Sequence, residues 1–436
     1  MSTKITGIYD ARKELGWGKS IIMGLQQCFA MFGATILVPV LTNSYGEGIV
    51  GLSASVTLFC AGIATLWFHF ITKGKVPVFL GSSFAFLGMY SAIIPAYGKE
   101  YATGGVDAAG GLYVILAILI KVLGTKRVMK LFPPVVCGPL IILIGINLAA
   151  SAVNNLFTNW ILGIVPILVI IICNTWGKGM IKIIPILLGV IGAYIVALIA
   201  GKVDFTEVAG ADIVGLQKFV IAKFDITSIL VMAPIAIAAM MEHIGDISAI
   251  SSTTGKNFIE DPGLHRTLLG DGLATAMAGM FGGPANTTYG ENTGVLALSR
   301  VYDPRVIRLA ALYAIILSFS PKFDALVNSI PTAIVGGVSF VLYGMISAVG
   351  VRNVVENKVD LTKSRNLIIA AVIFVCGLGF TTTGGITFTV GSADITLTGL
   401  AIAALAGVVL NALLPGNDYE FGKSVEGDAS ADLGSY

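Results

Sequence analysis

Residues 282–300 read GGPANTTYGENTGVLALSR, and this stretch decides the fold that the sequence predicts. It interrupts a chain of long apolar runs, because Pro284, Asn286 and the acid Glu291 stand among residues that would otherwise cross a membrane. Its longest apolar run, 295–298, is far shorter than the roughly 20 residues that a membrane helix needs. Polar, non-helical backbone survives at membrane depth only where it is buried in protein or lines a wet cavity. We therefore expect a binding site on a broken helix.

The composition is that of an integral membrane protein. Of 436 residues, 56% are hydrophobic and 12% are charged, about half the charged share of a typical soluble domain. The net charge of +2 gives no reason to expect nucleic acid as a partner, and neither a cofactor nor a metal site is expected. The five cysteines all fall inside apolar runs without a CxxC pair, which indicates buried small side chains: Cys28, Cys60, Cys137, Cys173 and Cys376.

Apolar runs predict 14 transmembrane segments and hence an all-α polytopic membrane protein. Their approximate bounds are 19–42, 50–71, 77–96, 105–124, 133–152, 157–174, 179–200, 226–249, 265–283, 284–299, 304–329, 331–350, 366–382 and 396–414. An even number places both termini on one side of the membrane, and all but five of the 27 Lys and Arg fall on that side. Because positive charge stays in the cytoplasm, we expect both termini to be cytoplasmic in a multi-pass protein of the cell (inner) membrane.

The two halves of the chain resemble each other at matching segments. Segment 3 carries Ser82–Ala85 and segment 10 carries Thr287–Gly290, each with two hydroxyls, an aromatic residue and a small residue. A proline followed by a glycine opens segment 5 (133–138) and segment 12 (331–336) in the same way. Seven segments per half is an odd number, so the second half must insert upside down. Interrupted segments at matching positions of inverted repeats point to the midplane site of a transporter.

Four acids lie inside apolar runs, where each charge costs at least ~2.5 kcal/mol on insertion scales and usually marks a function. They are Glu242, Asp246, Asp271 and Glu291. Glu242 and Asp246 are four residues apart and therefore share one helix face, about 6 Å apart. This spacing suits two groups that meet one ligand, or a carboxyl pair in which one member keeps its proton at neutral pH.

Structural roles remain open for these acids. Glu242 and Asp246 could cap a cytoplasmic helix end, since residues 251–253 are Ser, Ser and Thr. Asp271 follows His265 and Arg266 closely, so a helix-dipole role or an ion pair explains it as well as a ligand role does.

Three further polar residues have structural explanations. His243 points about 100° away from Glu242 around the helix, which favours core or lipid-interface packing. His69, beside two aromatic residues at a segment end, is expected to anchor that end at the interface. Tyr343, in a glycine-rich run, fits a packed core and a site lining equally well.

With these residues in view, the chain resembles the nucleobase–ascorbate transporter family (nucleobase:cation symporters of the second kind), and its uracil branch most closely. The likeness spans almost the whole chain and is carried by LQQCFAMFGATILVPVL (25–41), KGKVPVFLGSSFAF (73–86), MEHIGD (241–246), DPGLHR (261–266) and NTTYGENTGVLALSRVYDP (286–304). The family signature is an acid or amide, Asn, any residue, Gly, four more, then Thr and usually a basic residue. Residues 291–300 match it, with Ser299 in place of the threonine.

The resemblance implies a division of the chain into a core domain and a gate domain that move against each other. The core would comprise residues 1–130 (segments 1–4) and 226–329 (segments 8–11), with short antiparallel strands in segments 3 and 10. The gate would comprise 131–225 (segments 5–7) and 330–415 (segments 12–14). A cytoplasmic tail, 416–436, would follow, and the family suggests a homodimer.

The resemblance also implies a substrate site for uracil. Carried over residue by residue, Glu242 and Glu291 would accept hydrogen bonds from the two ring N–H groups. The backbone N–H groups of Phe84 and Gly290 would meet the two carbonyls. Three side chains would line the pocket: Ala34, Tyr289 and Tyr343.

Glu291 and Asp246 give opposite indications of which base is transported. An acid at Glu291 is typical of the uracil branch, whereas purine members usually carry Gln. Asp246 stands where uracil permeases carry His, and purine members often have Asp there. The hypothesis for coupling is that Glu242, with or without Asp246, takes the co-transported proton, because burial and the neighbouring acid raise its pKa until substrate binding favours one form.

The sequence therefore predicts a secondary transporter, not an enzyme, that imports uracil with protons by alternating access across the lipid bilayer. A xanthine or urate symporter of the same family is the alternative within the class. Sulfate and bicarbonate carriers of the same inverted architecture are less favoured, since no Lys or Arg lies deep in segments 3, 8 or 10. From other classes, an ion channel would need a continuous polar stripe or charged ring, and a membrane-embedded enzyme could use the paired carboxylates. No GxxxxGK[ST] loop is present, which argues against ATP-driven pumping.

Overall fold

A computed structural model describes residues 7–43, 50–390, 393–417 and 419, and within them the chain is mainly helical. The first twelve α-helices are α1 (Ala11–Glu14), α2 (Gly16–Asn43), α3 (Ala54–Ile71), α4 (Leu87–Tyr97), α5 (Lys99–Leu123), α6 (Thr125–Met129), α7 (Pro134–Phe157), α8 (Trp160–Trp176), α9 (Met180–Ile183), α10 (Pro185–Ile199), α11 (Thr206–Gly210) and α12 (Ile226–Met232). The remaining ones are α13 (Ile235–Thr254), α14 (Leu264–Met280), α15 (Gly290–Ser299), α16 (Pro304–Ser318), α17 (Pro321–Asn328), α18 (Thr332–Glu356), α19 (Ser364–Thr382) and α20 (Gly399–Leu413). Most of the predicted tail lies outside the described residues.

Two pairs of short antiparallel strands complete the described fold. β1 (Leu80–Ser82) pairs with β2 (Asn286–Thr288), so that Gly81 lies opposite Thr287. β3 (Ile386–Val390) pairs with β4 (Ala393–Leu397). The first pair confirms the strands predicted in segments 3 and 10, whereas the sequence analysis did not predict the second.

Side-chain caps and prolines define where several helices begin. The carboxylate of Asp225 accepts from the backbone N–H of Thr227 at 2.8 Å and thereby caps α12. Asp303 caps α16 by accepting from the backbone N–H of Arg305 at 2.9 Å, and Pro304 occupies the first helical position. An oxygen acceptor satisfies N–H groups that have no partner in the first turn, and proline is tolerated there because it has no N–H to lose.

Glycines allow the long helices to approach closely. A Cβ on Gly110 of α5 would lie 2.5 Å from the backbone nitrogen of Ala276 in α14. A Cβ on Gly145 of α7 would lie 2.2 Å from the carbonyl oxygen of Tyr343 in α18. Small residues at such crossings are typical of helix pairs in membranes, where packing rather than the hydrophobic effect holds helices together.

Seven helices of the described part are long and apolar enough to cross a membrane. The number rises to eight if α16 and α17, which are bent by 86° against each other, count as one span. Large apolar side chains face outward, including Val122 and Ile199, which are 73% and 84% exposed. Each of the 14 predicted segments overlaps at least one helix; the count of 14 and the inverted repeat stay predictions.

The interpretation of His69 as an interfacial anchor is wrong. Its side chain is 2% exposed, and its Nε2 lies 3.0 Å from the carbonyl oxygen of Val78, just before β1. The ring is thus buried between α3 and the strand segment, where a backbone carbonyl satisfies one of its nitrogens.

Candidate substrate site

The crossing of β1 and β2 brings two helix starts together. β1 continues into a 3₁₀ turn, Phe84–Phe86, that leads into α4, and β2 continues into α15 at Gly290. Two further backbone hydrogen bonds extend the crossing: Ser83 N–H to Ala285 O at 2.8 Å and Tyr289 N–H to Phe79 O at 3.1 Å. The first N–H groups of a helix have no partner inside it and lie at the positive end of its dipole. The arrangement therefore suits a ligand with acceptor oxygens.

Tyr289 connects the crossing to α2. Its hydroxyl donates to the carbonyl of Ser82 at 3.0 Å and lies 3.3 Å from Thr35 Oγ1. The hydroxyl of Ser82 in turn donates to the carbonyl of Thr35 at 2.9 Å. The Tyr289 side chain is 4% exposed, and its ring covers Gly81, where a Cβ would come within 2.3 Å of it. Tyr289 braces the strand crossing; its predicted role as an aromatic lining of the pocket stays a prediction.

The acidic residues of α13 lie against this crossing. α13 packs on β2, on α15 and on the 3₁₀ turn. The Thr288 hydroxyl donates to Asp246 Oδ2 at 2.7 Å, and Asp246 Oδ1 lies 3.7 Å from where a Cβ on Gly290 would be. Glu242, one turn earlier and also partly buried, is within electrostatic range of Asp246 and Glu291. Asp246 and Glu291 therefore lie at the start of α15, and Glu242 lies one helical turn from Asp246 on the same face of α13.

The capping interpretation of Glu242 and Asp246 is wrong. α13 continues to Thr254, about two turns beyond Asp246, and ends where Gly255 adopts a left-handed conformation with φ 68°. Both acids thus lie in the interior of a helix, where a terminal cap has no function.

Asn292, the second residue of the signature, fixes α15 to α2. Its side-chain amide donates to the backbone carbonyl of Gln27 at 2.9 Å and to Gln27 Oε1 at 2.8 Å. Both side chains are 1% exposed. Glu291, directly before Asn292 and only partly buried, is thereby held at a defined position near the start of its helix.

A cavity of about 280 Å³ lies next to the crossing and is lined by Ala85, Asn147, Tyr343 and Gly399, among others. Tyr343, 2% exposed, reaches it from α18, while Ala34, 1% exposed, is buried in α2 beside Thr35. Glu242 and Glu291 are not part of this lining as far as the chain is described. The structure thus gathers the predicted acids and helix starts around the crossing and leaves Tyr343 across the cavity.

Asp271 of α14 lies in close contact with His243 of α13. Its Oδ2 is 3.0 Å from Nδ1 of His243, and both side chains are fully buried. The contact is an ion pair when His243 is protonated, and the partner is His243 rather than His265 or Arg266. His243 belongs to the interior and not to the lipid interface. Within the described residues, no group of three His, Cys, Asp or Glu side chains is placed to hold a metal ion.

The hydroxyl groups that hold the site residues in place could not be assigned this role from the sequence. Thr35, Ser82 and Thr288 hold Tyr289 and Asp246 in place. The repeated pair of hydroxyl residues in segments 3 and 10 was the available signal, but it does not reveal which hydroxyl meets which partner.

Comparison with known proteins agrees with this architecture. The sequence profile of the Permease family matches residues 18–386. The chain is 40% identical over 428 residues to the "Uracil permease" of Bacillus subtilis (strain 168), covering 94% of this chain and 95% of that protein. It is 42% identical over 424 residues to the "Uracil permease" of Bacillus caldolyticus, again covering 94% and 95%. Its fold is similar to the transmembrane domain of a cyanobacterium bicarbonate transporter, BicA, with a TM-score of 0.63, 15% identity and coverage of 94% and 100%.

These similarities, with the apolar helices and the crossed broken segments, define an integral multi-pass membrane transporter and not an enzyme. The chain belongs to the nucleobase–ascorbate transporter family. The resemblance inferred from its motifs is thus confirmed.

Proposed function

We propose that this protein imports uracil together with protons by alternating access. The observation that carries the proposal is the β1–β2 crossing, which sets the starts of two helices beside the acids of α13 and α15. The two Bacillus relatives that are named uracil permeases, at 40% and 42% identity over nearly the whole chain, support the choice of substrate.

The site chemistry suits uracil, which is flat and offers two N–H donors and two carbonyl acceptors. Glu242 and Glu291 accept from the N–H groups, and the backbone N–H groups of Phe84 and Gly290 donate to the carbonyls. Ala34, Tyr289 and Tyr343 complete the pocket. A site built around buried acceptors rejects a base without matching N–H groups, because the acceptors would then be left unpaired.

A xanthine or urate symporter is the second candidate, and Asp246 is the observation that favours it. One oxygen of Asp246 accepts from Thr288, and the carboxylate lies beside Gly290. The contacts with Thr288 and Gly290 support a role for Asp246 in orienting the start of α15, with Glu242 and Glu291 as the direct ligands. On that assignment Asp246 is compatible with a small pyrimidine.

The same proposal includes the architecture that transport requires. Fourteen segments form two inverted repeats of seven, and the helix found at every predicted segment supports that number. The core, 1–130 and 226–329, carries the site, and the gate, 131–225 and 330–415, moves against it. Both termini and the tail 416–436 lie in the cytoplasm, and the protein assembles as a homodimer.

Proton coupling is assigned to Glu242, with or without Asp246. Glu242 lies within electrostatic range of Asp246, Asp271 and Glu291. Like charges that converge in a poorly solvated region favour a protonated carboxyl. Protonated Glu242 still accepts from a ring N–H through its carbonyl oxygen, so the proton and the substrate can be held together at one side chain, as symport requires.

The test is uptake of radiolabelled uracil into proteoliposomes, with and without an inward proton gradient, and with unlabelled uracil, xanthine or urate as competitors. We expect gradient-driven accumulation that only uracil blocks. Glu242→Gln and Glu291→Gln should each weaken uracil binding by about tenfold to a hundredfold, since each loses a charged acceptor. Glu207→Gln, an exposed acid in the loop around α11, is the matched control and should transport normally.

Each alternative predicts a different result in the same vesicles. Competition by xanthine would favour the purine symporter. Uptake that equilibrates without accumulating under the gradient would contradict coupled symport, and unchanged pH dependence in Glu242→Gln would exclude Glu242 as the proton carrier.

A further inference from the structure

A buried polar cluster lies on the side of α13 that faces away from the candidate site. His243 directly follows Glu242 in the sequence but points into the packed interior. Its Nδ1 is 3.0 Å from Oδ2 of Asp271 on α14, and both side chains are 0% exposed. The imidazole ring packs edge-on against Phe68, with 6.3 Å between the ring centroids.

Tyr113 of α5 completes this cluster. Its side chain is 0% exposed, and a Cβ on Gly272, next to Asp271, would lie 2.4 Å from Tyr113 Cβ. Within the described residues, the Tyr113 hydroxyl and Nε2 of His243 have no hydrogen-bond partner. The Nδ1–H of His243 does not line up with Asp271 well enough for a regular hydrogen bond, although the two atoms are close. Polar side chains from three helices, α5, α13 and α14, are thus buried together in the interior.

Burial of this kind is costly, because a carboxylate and an imidazole lose their hydration and regain little of it from a poorly aligned contact. An apolar pair of similar volume would pack at the same place without that cost. A buried ionisable group inside a membrane segment is by default a functional residue, and proton relays are among its common roles.

The cluster is electrostatically linked to the acids of the site. Asp271 acts on both Glu242 and Asp246 of α13, and on Tyr113 of α5. Glu291 of α15 acts on the same two acids of α13 from the opposite side. His243 is the basic group that acts on Asp271. Two further titratable residues lie near these groups. Tyr289, before α15, interacts electrostatically with Glu242 and Glu291, and His69 lies beside Phe68.

We propose that His243 and Asp271 form a second proton-holding site behind Glu242, and that the charge of this pair controls when Glu242 releases its proton. The inference rests on the proposed proton symport and extends it to residues that do not touch the substrate. His243 and Asp271 are positioning residues in this scheme, because they act through Glu242.

The scheme involves only proton transfer. When His243 is neutral and Asp271 is ionised, the pair carries one negative charge, which opposes ionisation of Glu242. When the pair takes up one proton from water, on the imidazole or on the carboxylate, it becomes neutral and no longer disfavours ionisation of Glu242. Glu242 then gives up its own proton to water more readily: one N–H or O–H bond forms on the pair, the O–H bond of Glu242 breaks, and no other bond is made or broken.

The decisive variant is Asp271→Asn, which keeps a polar partner for His243 but removes the negative charge permanently. We expect the pH midpoint of uracil uptake to move to lower pH by about one unit, because Glu242 ionises more easily without a neighbouring charge. Asp107→Asn on α5 removes a partly buried carboxyl outside the cluster and is the matched control. Its midpoint should equal that of the unaltered protein.

A double variant tests whether the two residues act as a unit. His243→Asn keeps a nitrogen donor close to the position of Nδ1, so it preserves the contact but cannot hold a proton. The shift in Asp271→Asn/His243→Asn should be no larger than in Asp271→Asn alone, because coupled residues are not additive. Independent, additive shifts would contradict the proposal. If Asp271→Asn does not fold, the midpoint of His243→Asn decides: an unchanged value overturns the proposal.

Infrared pH titration of the purified protein separates this inference from the proposed function, since it requires no substrate. The protonated carboxyl band that disappears in Glu242→Gln belongs to Glu242. In Asp271→Asn this band should titrate at lower pH than in the unaltered protein. A band that titrates unchanged in a folded variant overturns the inference, even if uracil is transported. A shifted band supports it, even if the substrate is a different base.

Discussion

Thr287 and Thr288 are neighbours in β2 with opposite environments, and the difference shows how one hydroxyl serves the site. Alternate residues of a strand point to opposite faces. The Thr288 hydroxyl therefore reaches Asp246 on α13 at 2.7 Å, while the Thr287 hydroxyl is buried without a partner among the described residues. The hydrogen bond holds one carboxylate oxygen and leaves the other beside the start of α15.

Replacing Thr288 by valine, which has nearly the same shape, should weaken uracil binding by about tenfold. The carboxylate of Asp246 would lose its donor in a partly buried position, at a cost of about 1–2 kcal/mol. Equilibrium binding of labelled uracil to purified protein measures the effect. Thr287→Val is the control from the same strand and should bind normally. Equal affinities in the two variants would contradict the assigned role of Thr288.

At the scale of the elements, the interruptions of segments 3 and 10 were predictable from the sequence. The side-chain contacts at their crossing were not. Proline, asparagine and an acid in 284–292 cannot continue a membrane helix, so the interruption follows from the sequence. The partner of Tyr289 could not be predicted, because Ser82 lies 207 positions away and no local pattern fixes the direction of a side chain. The lining role of Tyr289 stays a prediction, and its hydroxyl lies between β1 and α2.

The β3–β4 pair was missed for a different reason. Residues 386–390 read ITFTV, which is rich in β-branched and aromatic residues and is a strand signal. The run 396–414 was predicted as one transmembrane helix because it is long and apolar enough to cross the membrane. In the structure α20 begins only at Gly399, and residues 393–397 form β4. The length needed to cross a membrane was therefore the wrong criterion for detecting the short β3–β4 pair.

The close approach of Tyr289 to β1 makes Gly81 a position where any side chain would clash with the tyrosine ring. A Cβ there would lie 2.3 Å from the Tyr289 ring, so Gly81→Ala must displace the ring or separate the strands. We expect a lower melting temperature and loss of uracil binding, measured by thermal unfolding in detergent and by equilibrium binding. Gly111→Ala on α5, where a Cβ would meet nothing within 4 Å, should leave both unchanged. Normal binding by Gly81→Ala would show that the crossing does not position the site.

At the scale of the whole molecule, the proposed core and gate meet at several places, among them backbone hydrogen bonds from Lys223 to Glu100 and from Gly215 to Phe319. On one side Gly33 of α2 approaches Ile186 of α10, where a Cβ would lie 3.2 Å from Cγ2. Elsewhere the Thr398 hydroxyl, which caps α20, contacts the sulfur of Met89 on α4 at 3.4 Å. Helices within a unit are more closely packed, as the glycine contacts of α5 with α14 and of α7 with α18 show. The most extensive helix pairs, α7 with α18 and α5 with α14, thus lie inside the proposed units, which is compatible with motion of core and gate as rigid bodies.

The contact between Met89 and Thr398 allows the motion itself to be tested. With the native cysteines replaced, Met89→Cys and Thr398→Cys would be joined by a short bifunctional thiol reagent with a cleavable spacer. If core and gate move against each other, the cross-link should abolish uracil uptake, and cleavage of the spacer should restore it. Uracil binding should survive in the cross-linked protein, since Met89 and Thr398 line the cavity but are not among the proposed uracil ligands. Asn43→Cys with Asn328→Cys, whose side chains lie 3.2 Å apart within the proposed core, is the matched control. Its cross-link should leave uptake intact, because both residues would move together; full uptake by cross-linked Met89→Cys/Thr398→Cys protein would rule out relative motion at this contact.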